Sequence, residues 1–152
     1  MKILILTNGK PCQVSDEDYD NLSQYSWSST SKGYPYRYFG CIDGKQKNVY
    51  MHRELLNATK GITVDHIDNN PLNNTRENLR LATYAENLAN TGKQKNNTSG
   101  YKGVAYNKIN NNWRAMIRDK YLGSFNTPRE AAAAYNKAAI DLYGEFAGIN
   151  KL

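Results

Sequence analysis

The sequence contains few of the residues from which zinc sites and disulfide frameworks are built. Its 152 residues include only two cysteines and two histidines. Cys12 and Cys41 are far apart, and neither belongs to a Cys-x-x-Cys pair. The sequence therefore predicts neither a thiolate zinc site nor a set of disulfides. Both thiols are expected to be reduced, as in the cytoplasm.

Long apolar segments are also missing. The apolar run within residues 1–6 is too short for a signal peptide, and Lys2 alone gives it a weak basic start. No segment reaches the length of a transmembrane helix, so no membrane partner is expected. Residues 91–99 have no apolar side chain at all, which is typical of a linker.

The net positive charge of the chain lies entirely in its C-terminal part. The formal net charge is +6, and the isoelectric point is near 9.2. Residues 1–90 carry ten basic and ten acidic side chains, whereas residues 91–152 carry ten and four. A basic domain attached to a neutral one indicates a module with electrostatic affinity for an anionic polymer.

A cluster of polar residues suited to phosphodiester hydrolysis lies in the middle of the chain. Asp65 and His66 are adjacent, and Asn78 and Asn87 follow 12 and 21 residues after the histidine. An imidazole can accept a proton from water near neutral pH. Carboxylate and amide oxygens suit a hard cation such as Mg²⁺, which can stabilise charge on a phosphate and a leaving oxygen.

The pattern around these residues predicts a hairpin followed by a helix. Residues 62–64 predict a strand, residues 68–74 an Asn-rich loop, and residues 79–81 a returning strand. A capping box at residues 83–86 predicts a helix that starts at Tyr84. The loop lacks the glycine and the distal glutamate of an EF-hand, which argues against a calcium loop.

This segment resembles the His-Asn-His endonucleases, in particular their phage and intron-encoded homing branch. In that family a β-hairpin and a helix clasp one divalent metal, the ββα-metal or His-Me finger motif. The resemblance implies that Asp65 is a metal ligand and His66 the general base. Asn78 would brace the loop and orient the histidine, and Asn87 would offer its side-chain oxygen to the metal. The expected cofactor is Mg²⁺ or Mn²⁺, since one imidazole without thiolates makes a poor zinc site.

Residues 1–60 are expected to form an N-terminal extension of the nuclease. Residues 3–6 predict a buried strand, and Ser15 predicts the start of a short helix. The alternating tyrosines of residues 34–38, interpreted as core residues, predict a hairpin strand, and Pro35 would place that strand at a sheet edge.

Several basic residues of the first 92 positions are candidates for contacts with phosphate. Arg53, Arg76 and Arg80 are possible phosphate clamps. His52, the only other histidine, is a second metal ligand, a helix-start residue packed near the nuclease core, or a phosphate contact shared with Arg53.

Residues 100–152 predict three short strands and one helix. Alternation in the second strand would turn three side chains towards a core: Trp113, Ala115 and Ile117. Thr127 and Glu130 form a capping box with Pro128 in the first turn, and Gly144 ends the helix. One helical face would carry four residues: Ala131, Tyr135, Ala138 and Leu142.

This module resembles the DNA-binding domain of plant ethylene-response factors, through residues 101–104, 113–115, 122–125 and 144–147. That family lays a three-stranded antiparallel sheet in the major groove of DNA. The resemblance implies that six residues lie at or near DNA: Lys102, Arg114, Met116, Arg118, Lys120 and Tyr121. Ala105 and Asn107 stand where the family usually has arginines, and Met116 replaces an acidic base reader. The plant target sequence is therefore not transferred.

The sequence thus predicts an α+β protein with a ββα-metal nuclease core at residues 61–92, a linker at 93–99 and a three-stranded antiparallel sheet plus one helix at 100–152. The predicted function is metal-dependent endonuclease cleavage of double-stranded DNA, by a monomer that nicks one strand or by a dimer. It would act in the host cytoplasm if the gene belongs to a phage. The alternative is a DNA-binding regulator with an inactive nuclease core. An RNA-directed nuclease is disfavoured, because A-form RNA hides its major groove.

Overall fold

Short β-rich segments, separated by turns, give the chain small sheets and short helices, an α+β architecture. The computed structural model describes all 152 residues, which fall into two compact units, Met1–Tyr84 and Ala85–Leu152. This boundary precedes the predicted linker at 93–99. None of the helices has the length and apolar character to cross a membrane.

The first unit begins with an antiparallel pair of strands and a helix. Strands β1 (Lys2–Ile5) and β2 (Pro11–Val14) pair, and helix α1 (Asp16–Leu22) follows. The expectation of a fully buried first strand is wrong. Leu4 is buried but Ile3 and Ile5 are exposed, because only one face of this small sheet is covered.

The next elements are a short strand and a hairpin, β3 (Ser28–Ser29), β4 (Pro35–Ile42) and β5 (Lys45–Tyr50). Asp43 and Gly44 between β4 and β5 both have positive φ, as a tight two-residue hairpin turn requires. The edge-strand prediction for Pro35 is wrong, because β4 lies between β3 and β5. Pro35 is tolerated there as the first residue of its strand. The interpretation of the tyrosine stripe as core is wrong, because Tyr34 and Tyr36 are only half-buried, Tyr38 is exposed, and none of them joins the hydrophobic core.

The first unit ends with helix α2 (Met51–Leu55) and strands β6 (Thr63–His66), β7 (Asn73–Asn74) and β8 (Leu79–Ala82). Strands β6 and β8 form the predicted antiparallel hairpin, while β7 pairs in parallel with β2. The core of the unit contains ten buried residues: Leu4, Leu6, Cys12, Val14, Leu22, Trp27, Met51, Leu55, Val64 and Leu79.

The second unit contains most of helix α3 (Tyr84–Asn90), three strands and helix α4 (Pro128–Tyr143). The strands are β9 (Val104–Asn107), β10 (Asn112–Ile117) and β11 (Lys120–Phe125), and β10 lies at the centre of the antiparallel sheet. The predicted capping box of α4 is present, and Gly144 follows the last residue of the helix.

Small residues let α4 lie close to this sheet. Ala131, Ala132 and Ala139 are completely buried, and Tyr135 packs with Ile117. Leu142, predicted on the same face, is exposed instead, whereas the adjacent Tyr143 packs against the cluster of Ile117, Tyr135 and Ala139.

Candidate functional site

The β6–β8 ladder places a carboxylate and a guanidinium opposite each other. Asp65 and Arg80 are register partners in the two strands. Nε and Nη2 of Arg80 lie 2.8 and 2.7 Å from Oδ2 of Asp65, and the carboxylate is only 3% exposed. Charge-assisted pairs of this kind fix the orientation of both side chains. The predicted phosphate clamp Arg80 is thus engaged with the predicted metal ligand.

His66, the last residue of β6, is 5% exposed and holds its ring in a polar and aromatic pocket. Its Nε2 lies 3.4 Å from Oδ1 of Asn74. Burial lowers the pKa of His66, although Asn74, Asp68 and Asp65 act in the opposite direction. The lowered pKa favours the neutral imidazole, which is the form that can accept a proton.

Asn74 was not identified from the sequence. Its amide is fully buried, and Nδ2 donates to the carbonyl of Pro71 at 2.9 Å and approaches Sγ of Cys12 at 3.4 Å. Asn74 is one of several asparagines in a polar loop, and only the pairing of β7 with β2 carries it into the interior. Because that pairing joins distant parts of the chain, no local pattern distinguishes Asn74 from its neighbours.

Asn78 ties together the loop that connects β6 to β8. Its Oδ1 accepts from the backbone N–H of Asp68 at 3.0 Å, and its Nδ2 donates to Oδ1 of Asp68 at 2.9 Å and to the carbonyl of Asn73 at 2.8 Å. Burial raises the pKa of Asp68, but hydrogen bonds from Asn73, Asn70 and Asn78 outweigh it and keep this pKa below its usual range. The loop next to His66 is therefore held by one amide at several points.

His52, on α2, lies beside the candidate base. Its ring centroid is 5.3 Å from that of His66, and Tyr34 and Tyr50 also contact it. The residue is 9% exposed, and its Nδ1 is buried without a hydrogen-bond partner. Burial, and then the charges of His66 and Arg53, lower the pKa of His52 to about 3. His52 is thus a neutral ring in an aromatic wall behind His66.

The other two candidate phosphate clamps make contacts within the first unit. Arg53 donates to the carbonyls of Ile62, Ala58 and Thr59, at distances of 2.8 to 3.0 Å. Arg76 pairs with Asp18 at 2.7 Å and with Glu17 at 2.9 Å. These contacts hold turns and α1 in place, so contact with phosphate would compete with them.

The donors predicted for a metal are oxygen atoms. Asp65 supplies a carboxylate in the first unit, and Asn87 supplies an amide from α3, most of which belongs to the second unit. No group of three or more histidine, cysteine, aspartate or glutamate side chains is arranged to hold a metal. Mg²⁺ keeps several waters and takes one or two protein carboxylates together with substrate phosphate. Carboxylate and amide oxygens are donors of the type that a hard divalent cation prefers.

The exposed face of the second unit carries most of the residues predicted to face DNA. Arg114, Met116, Arg118, Lys120 and Tyr121 are all exposed, whereas Ala115 and Ile117 point to the core. This is the alternation that the sequence predicted. The guanidinium of Arg118 lies 5.2 Å from the ring centre of Tyr143, and the hydroxyl of Tyr121 bonds Ser124 at 2.8 Å.

Lys102 differs from the other predicted DNA contacts. Its Nζ donates to the carbonyls of Ala89 and Thr91, each at 2.6 Å, and burial lowers its pKa. It lines a cleft of about 600 Å³ together with Arg114, Met116 and residues from the segment 91–98. Contact with a phosphate would require this ammonium to leave two carbonyls.

Comparison with known proteins assigns the family. A family model described as HNH endonuclease matches residues 59–89. The chain is 34% identical over 144 residues to an uncharacterised HNH endonuclease, L560, of Acanthamoeba polyphaga mimivirus, a match that covers 91% of this chain and 74% of that protein. The protein therefore belongs to the HNH endonuclease family.

Two further relatives match shorter parts of the chain. Protein 3.8 of Escherichia phage T7 is 48% identical over 58 residues, which are 38% of this chain and 48% of that protein. The ethylene-responsive transcription factor ERF024 of Arabidopsis thaliana is 41% identical over 56 residues, 33% of this chain and 30% of that protein. Both resemblances drawn from the sequence, to HNH endonucleases and to ethylene-response factors, are confirmed.

Proposed function

We propose that the protein is a metal-dependent DNA endonuclease of the homing type, which hydrolyses one phosphodiester per site and is directed to DNA by the sheet of its second unit. The proposal rests above all on one observation. A buried imidazole, His66, follows the carboxylate of Asp65 at the end of β6, beside a loop that Asn78 holds in place.

In this mechanism His66 takes the proton of the attacking water. Because an amide oxygen can only accept, Nε2 of His66 is the donor in its contact with Oδ1 of Asn74, and this contact selects the tautomer of the neutral ring. The aromatic wall of Tyr34 and His52 restricts rotation of the ring. Asn78 keeps the adjoining loop in one conformation, so the base does not have to be ordered when substrate binds.

Asp65 and Asn87 are the residues that would hold the divalent cation, Mg²⁺ or Mn²⁺. When bound, such a cation supplies positive charge at the scissile phosphate and the leaving oxygen. Arg80 orients the Asp65 carboxylate and offsets its charge while no cation is present. One site of this kind cuts one strand, so a monomer should nick, and a double-strand break would need a dimer or a second encounter.

The second unit would supply affinity and placement on duplex DNA. Arg114 and Met116 lie on the exposed face of β10, and Tyr121 of β11 is the register partner of Met116. Arg118 and Lys120 are exposed where β10 turns into β11. The major groove of B-DNA is wide enough for β-strands and presents a distinct donor and acceptor pattern for each base pair. Cationic side chains on this face would add affinity that falls as salt rises.

A plasmid-nicking assay tests the proposal. The full chain is incubated with supercoiled plasmid and Mg²⁺, and the parent is compared with His66→Ala, with and without added imidazole. We expect the parent to produce open circles, His66→Ala to lose this activity, and imidazole to restore part of it. Imidazole rescue separates loss of the base from general damage to the fold.

The alternative function, a DNA-binding regulator with an inactive nuclease core, is favoured by one observation: Arg80 already occupies Oδ2 of Asp65. It predicts salt-dependent DNA binding with intact plasmid in both the parent and His66→Ala. That result would overturn the nuclease proposal. Competition with duplex RNA tests whether the substrate is DNA. A sheet that reads the major groove should bind duplex DNA more tightly, because A-form RNA hides that groove.

A further inference from the structure

The polar segment at residues 91–99 connects helix α3 to the sheet and α4. Hydrogen bonds also join α3 directly to residues beyond this segment. The carbonyl of Ala89, in the last turn of α3, accepts from Nζ of Lys102 at 2.6 Å and from the backbone N–H of Gly148 at 3.2 Å. The carbonyl of Thr91 accepts from the same ammonium at 2.6 Å. A lysine at this position satisfies carbonyls that a helix leaves unpaired at its C-terminus and complements the helix dipole.

Gly148 fits against the end of α3 only because it has no side chain. A Cβ at this position would lie 2.7 Å from the carbonyl oxygen of Ala89 and 2.9 Å from that of Asn90. Both acceptors are backbone atoms of residues that are themselves buried. The C-terminal segment and the helix therefore approach more closely than any other residue at 148 would permit.

Lys102 is in turn held to helix α4 through Asn150. Oδ1 of Asn150 accepts from the backbone N–H of Lys102 at 2.7 Å, and Nδ2 of Asn150 donates to the Lys102 carbonyl at 3.1 Å. Asn136 of α4 bonds the backbone of Asn150 twice, at 2.7 and 2.8 Å. A continuous set of hydrogen bonds thus runs from α4 through Asn150 and Lys102 to the end of α3.

We propose that Lys102 and Gly148 fasten α3 to the sheet-plus-helix module as one body, so that DNA bound by the module fixes where α3 lies along the duplex. This inference rests on the proposed function, in which α3 carries Asn87 and the module contacts DNA. Lys102 is then a positioning residue. If α3 is fastened in this way, the spacing between the recognised sequence and the nick should be fixed and should not depend on the length of the polar segment 93–97.

Cleavage of a pool of duplexes with a randomised central segment, in Mg²⁺, tests the spacing. Sequencing of the cut ends gives the distance from the enriched motif to the nick. The full chain is compared with Lys102→Met, with a Gly-Ser insertion after Asn96, and with Lys108→Met, which removes the same charge from an exposed turn. We expect one spacing for the parent, the insertion and Lys108→Met, and a spread over several neighbouring positions for Lys102→Met.

Two results would overturn the inference. Lys102→Met could cut at the parent spacing with weaker binding, as expected if Lys102 merely contacts phosphate. Alternatively, the insertion could spread the cuts, as expected of a flexible tether.

Hydrogen exchange on the same variants does not depend on catalysis. We expect faster exchange of the amides in the last turn of α3 in Lys102→Met, with the amides of α4 and Lys108→Met unchanged. Unchanged α3 amides would refute the fastening. If the parent chain cuts no DNA, the proposed function fails, and the exchange measurement still decides whether α3 is fastened to the module.

Discussion

Replacing Asn74 with alanine tests whether the buried amide next to His66 is part of the reaction or only of the fold. The change removes the hydrogen bond to the Pro71 carbonyl and the contact with Nε2 of His66. A net hydrogen bond contributes about 0.5–1.5 kcal/mol, and an unsatisfied buried group costs about 1–3 kcal/mol. We therefore expect the free energy of unfolding to fall by about 2–4 kcal/mol, measured by urea denaturation.

If Asn74 had only a structural role, its replacement would lower stability alone. Because Asn74 also contacts Nε2 of His66, we expect the cleavage rate to fall as well. Partners that orient an active-site side chain are worth about tenfold to a hundredfold in activity, so the single-turnover nicking rate should fall by that factor at saturating DNA. Asn74 raises the pKa of His66 against burial. Its loss should lower that pKa further and move the acidic limb of the pH–rate profile to lower pH.

The control for this experiment is Asn70→Ala, in the same loop. Asn70 is exposed, and its side chain accepts one hydrogen bond from the N–H of Leu72. We expect little change in rate or in the pH limb for this variant. If Asn74→Ala nicked DNA at the parent rate with an unmoved acidic limb, the assignment of Asn74 as the partner that orients His66 would be refuted.

Two other predictions concern acid stability and DNA affinity. Folding lowers the pKa of His52 from 6.5 to about 3, so its neutral form is favoured in the native state, and its contribution to stability is complete above pH 6.5 and is lost as the pH falls towards 3. Thermal unfolding of His52→Phe should therefore depend less on pH between 6.5 and 4 than that of the parent, and parallel curves would contradict the buried neutral ring. Arg114→Met should weaken duplex binding and reduce the slope of log K against log salt by about 0.9 if Arg114 contacts one phosphate. Lys137→Met, on the exposed side of α4, should leave the slope unchanged, and equal effects of the two variants would refute the assignment of the sheet face to DNA.

Features set by neighbouring residues were predictable from the sequence. The capping box of Thr127 and Glu130 starts α4, and a turn at Asp43 and Gly44 closes the β4–β5 hairpin. Asp65 and His66 do lie at the end of the first strand of a hairpin. In each case the local backbone has one favourable conformation for those residues, and little of the rest of the chain is needed to select it.

Features set by distant pairing were not predictable. The neighbours of β4 are decided by which segments reach it, so Pro35 alone could not show that its strand is central. Asn74 is buried because β7 joins β2, some 60 residues earlier in the chain. The partner of Arg76 is likewise distant, since Asp18 lies 58 residues earlier in the chain. A loop composition rich in asparagine shows that hydrogen bonds will form, but not which amide will point inward.

The segment 91–99 has the composition of a flexible linker, but hydrogen bonds fix its ends. Without apolar side chains it cannot contribute to a core, and the prediction of a linker follows. Yet Asn97 and Ser99 bond the carbonyls of Tyr101 and Val104 at 2.7 and 2.8 Å, and Lys102 holds the far end to α3. If the hydrogen bonds of Lys102 fix the distance between α3 and the sheet-plus-helix module, the flexibility of the segment between them does not change that distance. We therefore expect the length of the segment 93–97 to vary without moving the cleavage position, and the insertion after Asn96 measures this.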